Sequence, residues 1–112
     1  MENLEFIDAI IPKDTVTPED TLYVLGGVIN HTDKAVTLPV TLWGRAAEDW
    51  LPLLRQRVEL NAREHKHLYF YIPGACFRET YWGIPEVEEI EIRISESKPS
   101  KDAKGVLVFV SH

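Results

Sequence analysis

A chain of 112 residues has room for one ordinary domain, and its 45% apolar and 27% charged composition is that of a folded globular protein. Eighteen acidic against twelve basic residues give a formal net charge of −6. That surplus repels phosphate backbones and anionic lipid surfaces, which argues against nucleic-acid or membrane docking.

One cysteine, Cys76, excludes an intrachain disulfide and a thiolate metal cage within one chain, and it fits a reducing, cytoplasmic compartment. No apolar run approaches the roughly 18 residues of a membrane span. The opening MENLEFIDAII lacks the basic segment of a signal peptide. The expectation is a single domain over residues 1–112.

Residues 4–11, LEFIDAII, form a short apolar run that Pro12 ends, because proline lacks the N–H a ladder needs. Residues 12–20 are polar, hold two prolines and read as a connection. Residues 21–30 are apolar and β-branched and form a strand, with Gly26 and Gly27 marking a bulge or a close backbone approach. Residues 30–34, NHTDK, form a turn.

Residues 35–43 alternate. Val36, Leu38, Val40 and Leu42 share one face; Thr37, Pro39, Thr41 and Trp43 share the other. Pro39 points to an edge strand. Residues 45–57 have helical spacing interrupted by Pro52, so a loop with one helical turn is expected, leading into a strand at residues 57–60.

Residues 61–66 are turn-like. Residues 67–72, HLYFYI, are a strand closed by Pro73 and Gly74. Residues 75–85 are a long aromatic loop. Residues 86–95 alternate with Ile90, Ile92 and Ile94 inward. Residues 96–104 read as a hairpin connection, and residues 105–110 as the last strand. Short strands separated by turns predict an all-β, Ig-like antiparallel β-sandwich of about seven strands.

Residues 21–43 resemble the opening hairpin of Ig-like domains of the CARDB and FxLYD kind. The likeness lies in Val28-Ile29-Asn30-His31-Thr32-Asp33 and the alternating strand that follows. It continues in Val58-Glu59-Leu60, in Leu68-Tyr69-Phe70 and in the final pair Ile90 to Ile94 and Val106 to Val110. The chain departs from that pattern in the length of residues 75–85. It also has Ala62-Arg63-Glu64-His65 where a glycine turn is expected. The resemblance implies a non-catalytic interaction or spacer module.

The residues themselves offer little chemistry. His65 and His67 fall on one side of an extended chain, as in the start of a zinc site, but no spacing selects a third ligand, and two solvated histidines is the simpler reading. Cys76 stands in no recognisable nucleophile context and reads as a small buried hydrophobe. Glu86, Glu88, Glu89 and Glu91 read as a solvated strand face rather than a cation site. Asn30-His31-Thr32 matches a glycosylation acceptor, but Asn30 reads first as a turn former. No G-x-S-x-G and no glycine-rich phosphate loop occurs.

The strongest binding candidate is the loop of residues 73–85, PGACFRETYWGIP, with Phe77, Arg78, Tyr81 and Trp82, since binding hot spots favour Trp, Tyr and Arg. The same aromatics could instead plug the core. Tyr69, Tyr71 and Trp43 form a second aromatic set that points to self-association. The expected function is a non-enzymatic protein-interaction or structural module, with no cofactor and no metal, acting on a protein partner or on itself. The alternative is a carbohydrate-binding module using the loop of residues 73–85.

Overall fold

The computed structural model describes residues 4–46, 49–77 and 89–110, apart from the side chains of Asp8, Cys76 and Phe77. It is the all-β sandwich that the alternation predicts. Eight strands occur among the described residues: β1 Leu4–Ile10, β2 Thr15–Val16, β3 Thr21–Asn30, β4 Val36–Arg45, β5 Leu51–Leu60, β6 His65–Pro73, β7 Glu89–Ser95 and β8 Val106–Val110. One sheet has the order β1-β3-β6 and the other β2-β8-β7-β4-β5. Every pairing is antiparallel except the two-residue contact of β2 with β8. That short strand lies inside the proline-bearing connection, where the sequence gives no strand pattern.

The period of two places the core. Leu22, Val24 and Val28 of β3, with Leu68, Phe70 and Ile72 of β6, face Leu38, Val40 and Leu42 of β4 and Ile90, Ile92 and Ile94 of β7. All are buried. Full burial of each such side chain contributes about 1.5–3 kcal/mol. Gly26 lies on the inner face of β3. A methyl there would sit 2.5 Å from Ile94 Cδ1, so its role is close approach between the two sheets. The bulge lies in β1 instead: Ile7 pairs with Gly27 and Ile10 with Leu25, leaving two residues of β1 opposite Gly26.

Two expectations need correction. β4 is not an edge strand, since β5 and β7 flank it. Pro39 is tolerated because β7 pairs only from Thr41 onward, so the Pro39 segment has a described partner on the β5 side alone. Residues 51–56 are strand rather than a loop with a helical turn. Pro52 fits because β5 is an edge strand. The register also shifts there, with Leu42 opposite Leu54 and Trp43 opposite Pro52, which leaves Leu53 as a bulge. A single-residue bulge breaks the alternation, so the segment mimics helical spacing.

At one end the two hairpin turns are tied together by Asn30. Its buried side-chain amide donates to the carbonyls of Lys34 (2.8 Å) and Asn61 (3.0 Å), and its oxygen accepts from the Thr32 amide (3.0 Å) and hydroxyl (2.7 Å). Every polar atom of that side chain is committed, so the acceptor sequence is closed to a glycan in the folded state. In the facing turn Arg63 takes a left-handed backbone, φ 62°, at the place where a glycine is expected. Its N–H donates to the Thr32 carbonyl at 3.1 Å, and its guanidinium reaches Asp33 at 2.9 Å.

Candidate functional site

The three-stranded sheet has an outer face that no other described element covers. Directly paired residues of an antiparallel ladder point the same way, so the register fixes its membership. Tyr23 pairs with Tyr71, Leu25 with Tyr69, Gly27 with His67 and Ile29 with His65. From the other side Ile10 pairs with Leu25, Ile7 with Gly27 and Glu5 with Ile29. The result is an aromatic and aliphatic surface. Tyr23, Tyr69 and Tyr71 are each about half exposed, at 51%, 51% and 54%, and Ile10 is 60% exposed. Tyr23 and Tyr71 meet edge to face, with ring centroids 5.3 Å apart and planes at 81°. That arrangement suits the ring quadrupoles and stiffens both side chains.

β6 is the edge of this sheet and β5 the edge of the other. A groove of about 670 Å³ runs between them, lined by Gln56, Arg57, Glu59, Lys66, His67 and Tyr69 among others. Two side chains close part of the exposed backbone: Gln56 Nε2 donates to the Tyr69 carbonyl at 2.6 Å, and Lys66 Nζ to the Glu59 carbonyl at 2.7 Å. Such capping blunts an edge against unwanted strand pairing. The outer aromatic face carries no such capping among the described residues.

The larger sheet also carries an outer cluster, but this one is filled. Arg45 pairs with Glu91, lies 4.4 Å over the Trp50 ring and donates to the carbonyls of Lys101 and Ala103. Trp50 Nε1 donates to the Ser100 carbonyl at 3.0 Å. All these polar groups have partners, so the cluster pins the segment before β8 and offers no free chemistry.

Of the loop candidates, Arg78, Tyr81 and Trp82 lie outside the described residues, as does the side chain of Phe77, whose backbone ends a 3-10 turn at Gly74–Phe77. Glu86 and Glu88 lie outside them too. Glu89 and Glu91 share the outer side of β7, where Glu89 is exposed and Glu91 is engaged by Arg45. Trp43 does not belong with Tyr69 and Tyr71: it is buried on the other sheet, opposite Arg93 and Pro52. His65 and His67 do stand side by side on β6, exposed, with ring centroids 5.0 Å apart. Among the described residues no group of three or more His, Cys, Asp or Glu side chains gathers as a metal cage would require. No described helix is long and apolar enough to cross a membrane.

The sequence reading finds Tyr69 and Tyr71 but misses Tyr23, Leu25 and Ile10 as their neighbours. The alternation in residues 21–25 places Thr21, Tyr23 and Leu25 together. Both sides of that strand are apolar, so nothing marks one of them as solvent-facing.

No protein-family model matches the chain, and no curated protein matches it in sequence. Solved structures do resemble it in fold. A β-glucosidase from Erythrobacter marinus superposes with a TM-score of 0.77 at 20% identity over 96% of this chain and 15% of its own. A β-glucosidase from intestinal bacteria involved in saponin metabolism gives 0.77 at 22% identity, over 96% of this chain and 16% of its own. The β-glucosidase of Listeria innocua, in complex with isofagomine, gives 0.73 at 16% identity, again over 96% and 16%. The chain thus spans about one-sixth of the length of these enzymes. At such identities the likeness is one of fold alone.

Proposed function

We propose that this chain is a non-enzymatic docking module of the Ig-like kind to which CARDB and FxLYD domains belong, and that it packs the outer face of β1-β3-β6 against a larger protein domain. The observation that carries the reading is the half-exposed row of Tyr23, Tyr69 and Tyr71 beside Leu25 and Ile10 on a sheet with no covering layer among the described residues. Exposed apolar patches of this kind mark interaction sites, and tyrosine is enriched in binding hot spots. The occurrence of the same fold as one-sixth of longer β-glucosidase chains supports a role beside a larger domain. The loop of residues 73–85, with Phe77, Arg78, Tyr81 and Trp82, leaves β6 just after Tyr71 and extends the same reading. The single cysteine fits work in the reducing cytoplasm.

The test is site-specific photo-crosslinking in the cell. A photoreactive phenylalanine at position 71 is expected to capture a protein partner, while the same group at position 107, exposed on the outer side of β8, does not. Equal capture from both positions, or none from position 71, overturns the reading.

A carbohydrate platform is the second reading. Tyr69 and Tyr71 are two half-exposed rings at alternate positions of one strand, a spacing that suits stacking on successive sugar units. Titration with laminaribiose, followed by tyrosine fluorescence and by the Tyr69 and Tyr71 ring resonances, decides it. No shift at millimolar sugar removes it.

A further inference from the structure

We infer that His65 and His67 form a two-imidazole site for a divalent transition ion of the zinc, nickel or copper class, built on the outer face of β6 above Gly27. Alternate residues of a strand point the same way, so both rings stand on one side of the sheet. Their centroids are 5.0 Å apart with planes tilted by 47°. Imidazole nitrogens about 2.1 Å from a shared ion place two ring centroids roughly 4.5–5 Å apart, so the observed separation meets the distance that a shared ion requires.

The second observation concerns the strand beside them. Gly27 is the direct cross-strand partner of His67, and Ile7 pairs with it from the other side. A side chain at Gly27 would begin 3.1 Å from His65 Nε2 and 3.3 Å from Ile7 Cδ1. The absent side chain therefore leaves a recess into which His65 leans, toward the position facing His67. Among the described residues neither imidazole makes a hydrogen bond, in contrast to His31, whose Nε2 lies 2.8 Å from Glu5 Oε1. Among the described residues no protein partner therefore claims a nitrogen of either ring. Imidazole suits zinc, copper and nickel, while magnesium and calcium prefer oxygen. Two protein ligands leave the rest of the coordination sphere to water, which makes this an exchangeable site rather than a structural one.

The test is titration of the full chain with zinc chloride and with nickel chloride, read by the ring resonances of the four histidines and by calorimetry. One ion per chain is expected, with shifts at His65 and His67. Binding should be lost in His65→Ala and in His67→Ala and kept in His31→Ala. Because His65 and His67 are exposed, their variants should melt with the parent, so lost binding is not lost folding. Magnesium should move nothing. Unshifted His65 and His67 resonances overturn the inference. So does binding that survives in the His65→Ala/His67→Ala double variant.

Discussion

Arg45 and Glu91 stand opposite each other on β4 and β7, with Nη2 and Oε1 2.6 Å apart and both side chains largely shielded from water. Glu91 also accepts from the Gly105 N–H at 2.7 Å, so one carboxylate joins β4, β7 and the start of β8. Removing one member of such a pair strands the other in a poor solvent. Arg45→Ala should lower stability by about 2 kcal/mol, between the cost of an exposed pair and that of a fully buried one. Hydrogen exchange should quicken most at residues 100–105, which Arg45 holds through the Lys101 and Ala103 carbonyls. A urea midpoint equal to the parent's would show that the pair contributes nothing.

The same carboxylate sets an acid response. Its partial burial favours the protonated form, but the hydrogen bonds from Arg45 and Gly105 and the charges of Arg45 and Lys104 outweigh it, so Glu91 titrates below the usual carboxylate range. The folded state then holds this proton less tightly than the unfolded chain. The stabilisation is complete above the ordinary glutamate pKa of about 4.3 and fades as pH falls through the lower folded value. Melting curves of the parent and Glu91→Gln should therefore differ most at neutral pH and converge as the pH falls below the ordinary glutamate range. A gap that is constant with pH would contradict this.

Gly74 approaches a neighbouring backbone closely. A Cβ there would overlap the Thr17 carbonyl oxygen, while its own N–H donates to the Asp20 carbonyl at 2.6 Å. Backbone cannot swing aside as a side-chain terminus does. Gly74→Ala should cost about 3 kcal/mol, and Gly26→Ala, which meets only the flexible end of Ile94, about 1 kcal/mol. Comparison of denaturant midpoints checks the order. Equal losses would place the close approach elsewhere.

How much of this was legible depended on local regularity. Where alternation is clean, as at Leu38, Val40 and Leu42 or at Ile90, Ile92 and Ile94, the pattern alone yields the buried face. Where one extra residue shifts the phase, as at Leu53, the period fails and a strand imitates a helical turn. The two-residue β2 is held by pairing with Phe109 and Val110, far away in sequence, and leaves no local pattern. The outer face of β1-β3-β6 was half legible for a related reason. Tyr69 and Tyr71 announce themselves by alternation, but which apolar side of β3 faces water depends on which sheet packs behind it. Trp43 went astray for the same cause, because the strand pattern assigns its side correctly but not what covers it.

Arg63 makes a prediction of opposite signs. A left-handed backbone costs a non-glycine residue about 1 kcal/mol, and more where the side chain is β-branched. The exposed contact of Arg63 with Asp33 offsets little of that. Arg63→Gly should stabilise the fold slightly and Arg63→Val should destabilise it, with the two variants about 2 kcal/mol apart in thermal unfolding. Two variants of equal stability would mean that the turn relaxes to another conformation.

Asn30 joins the turns after β3 and β5 through four side-chain hydrogen bonds while itself buried. Asn30→Ala leaves the Lys34 and Asn61 carbonyls without that donor. The expected loss is about 2 kcal/mol, the range for stripping partners from shielded polar groups. Arg63→Ala, which removes only an exposed ion pair at the same end of the sandwich, should cost less. Urea denaturation of the two variants tests the ranking.

Tyr69 and Tyr71 allow function to be separated from folding. Both face solvent, whereas the residues between and beside them, Leu68, Phe70 and Ile72, fill the core. Tyr69→Ser with Tyr71→Ser should therefore keep the cooperative melt, losing only the edge-to-face contact of Tyr71 with Tyr23, about 0.5–1.5 kcal/mol. Phe70→Ala alone should cost about 3–5 kcal/mol. If the outer face is the docking surface, the double tyrosine variant should bind the crosslinked partner at least tenfold more weakly, a loss of about 1.4 kcal/mol or more, as expected when hot-spot rings are truncated. A variant that melts with the parent and binds as tightly would show that the partner uses another surface. One that fails to fold would show that the tyrosines serve the sandwich itself.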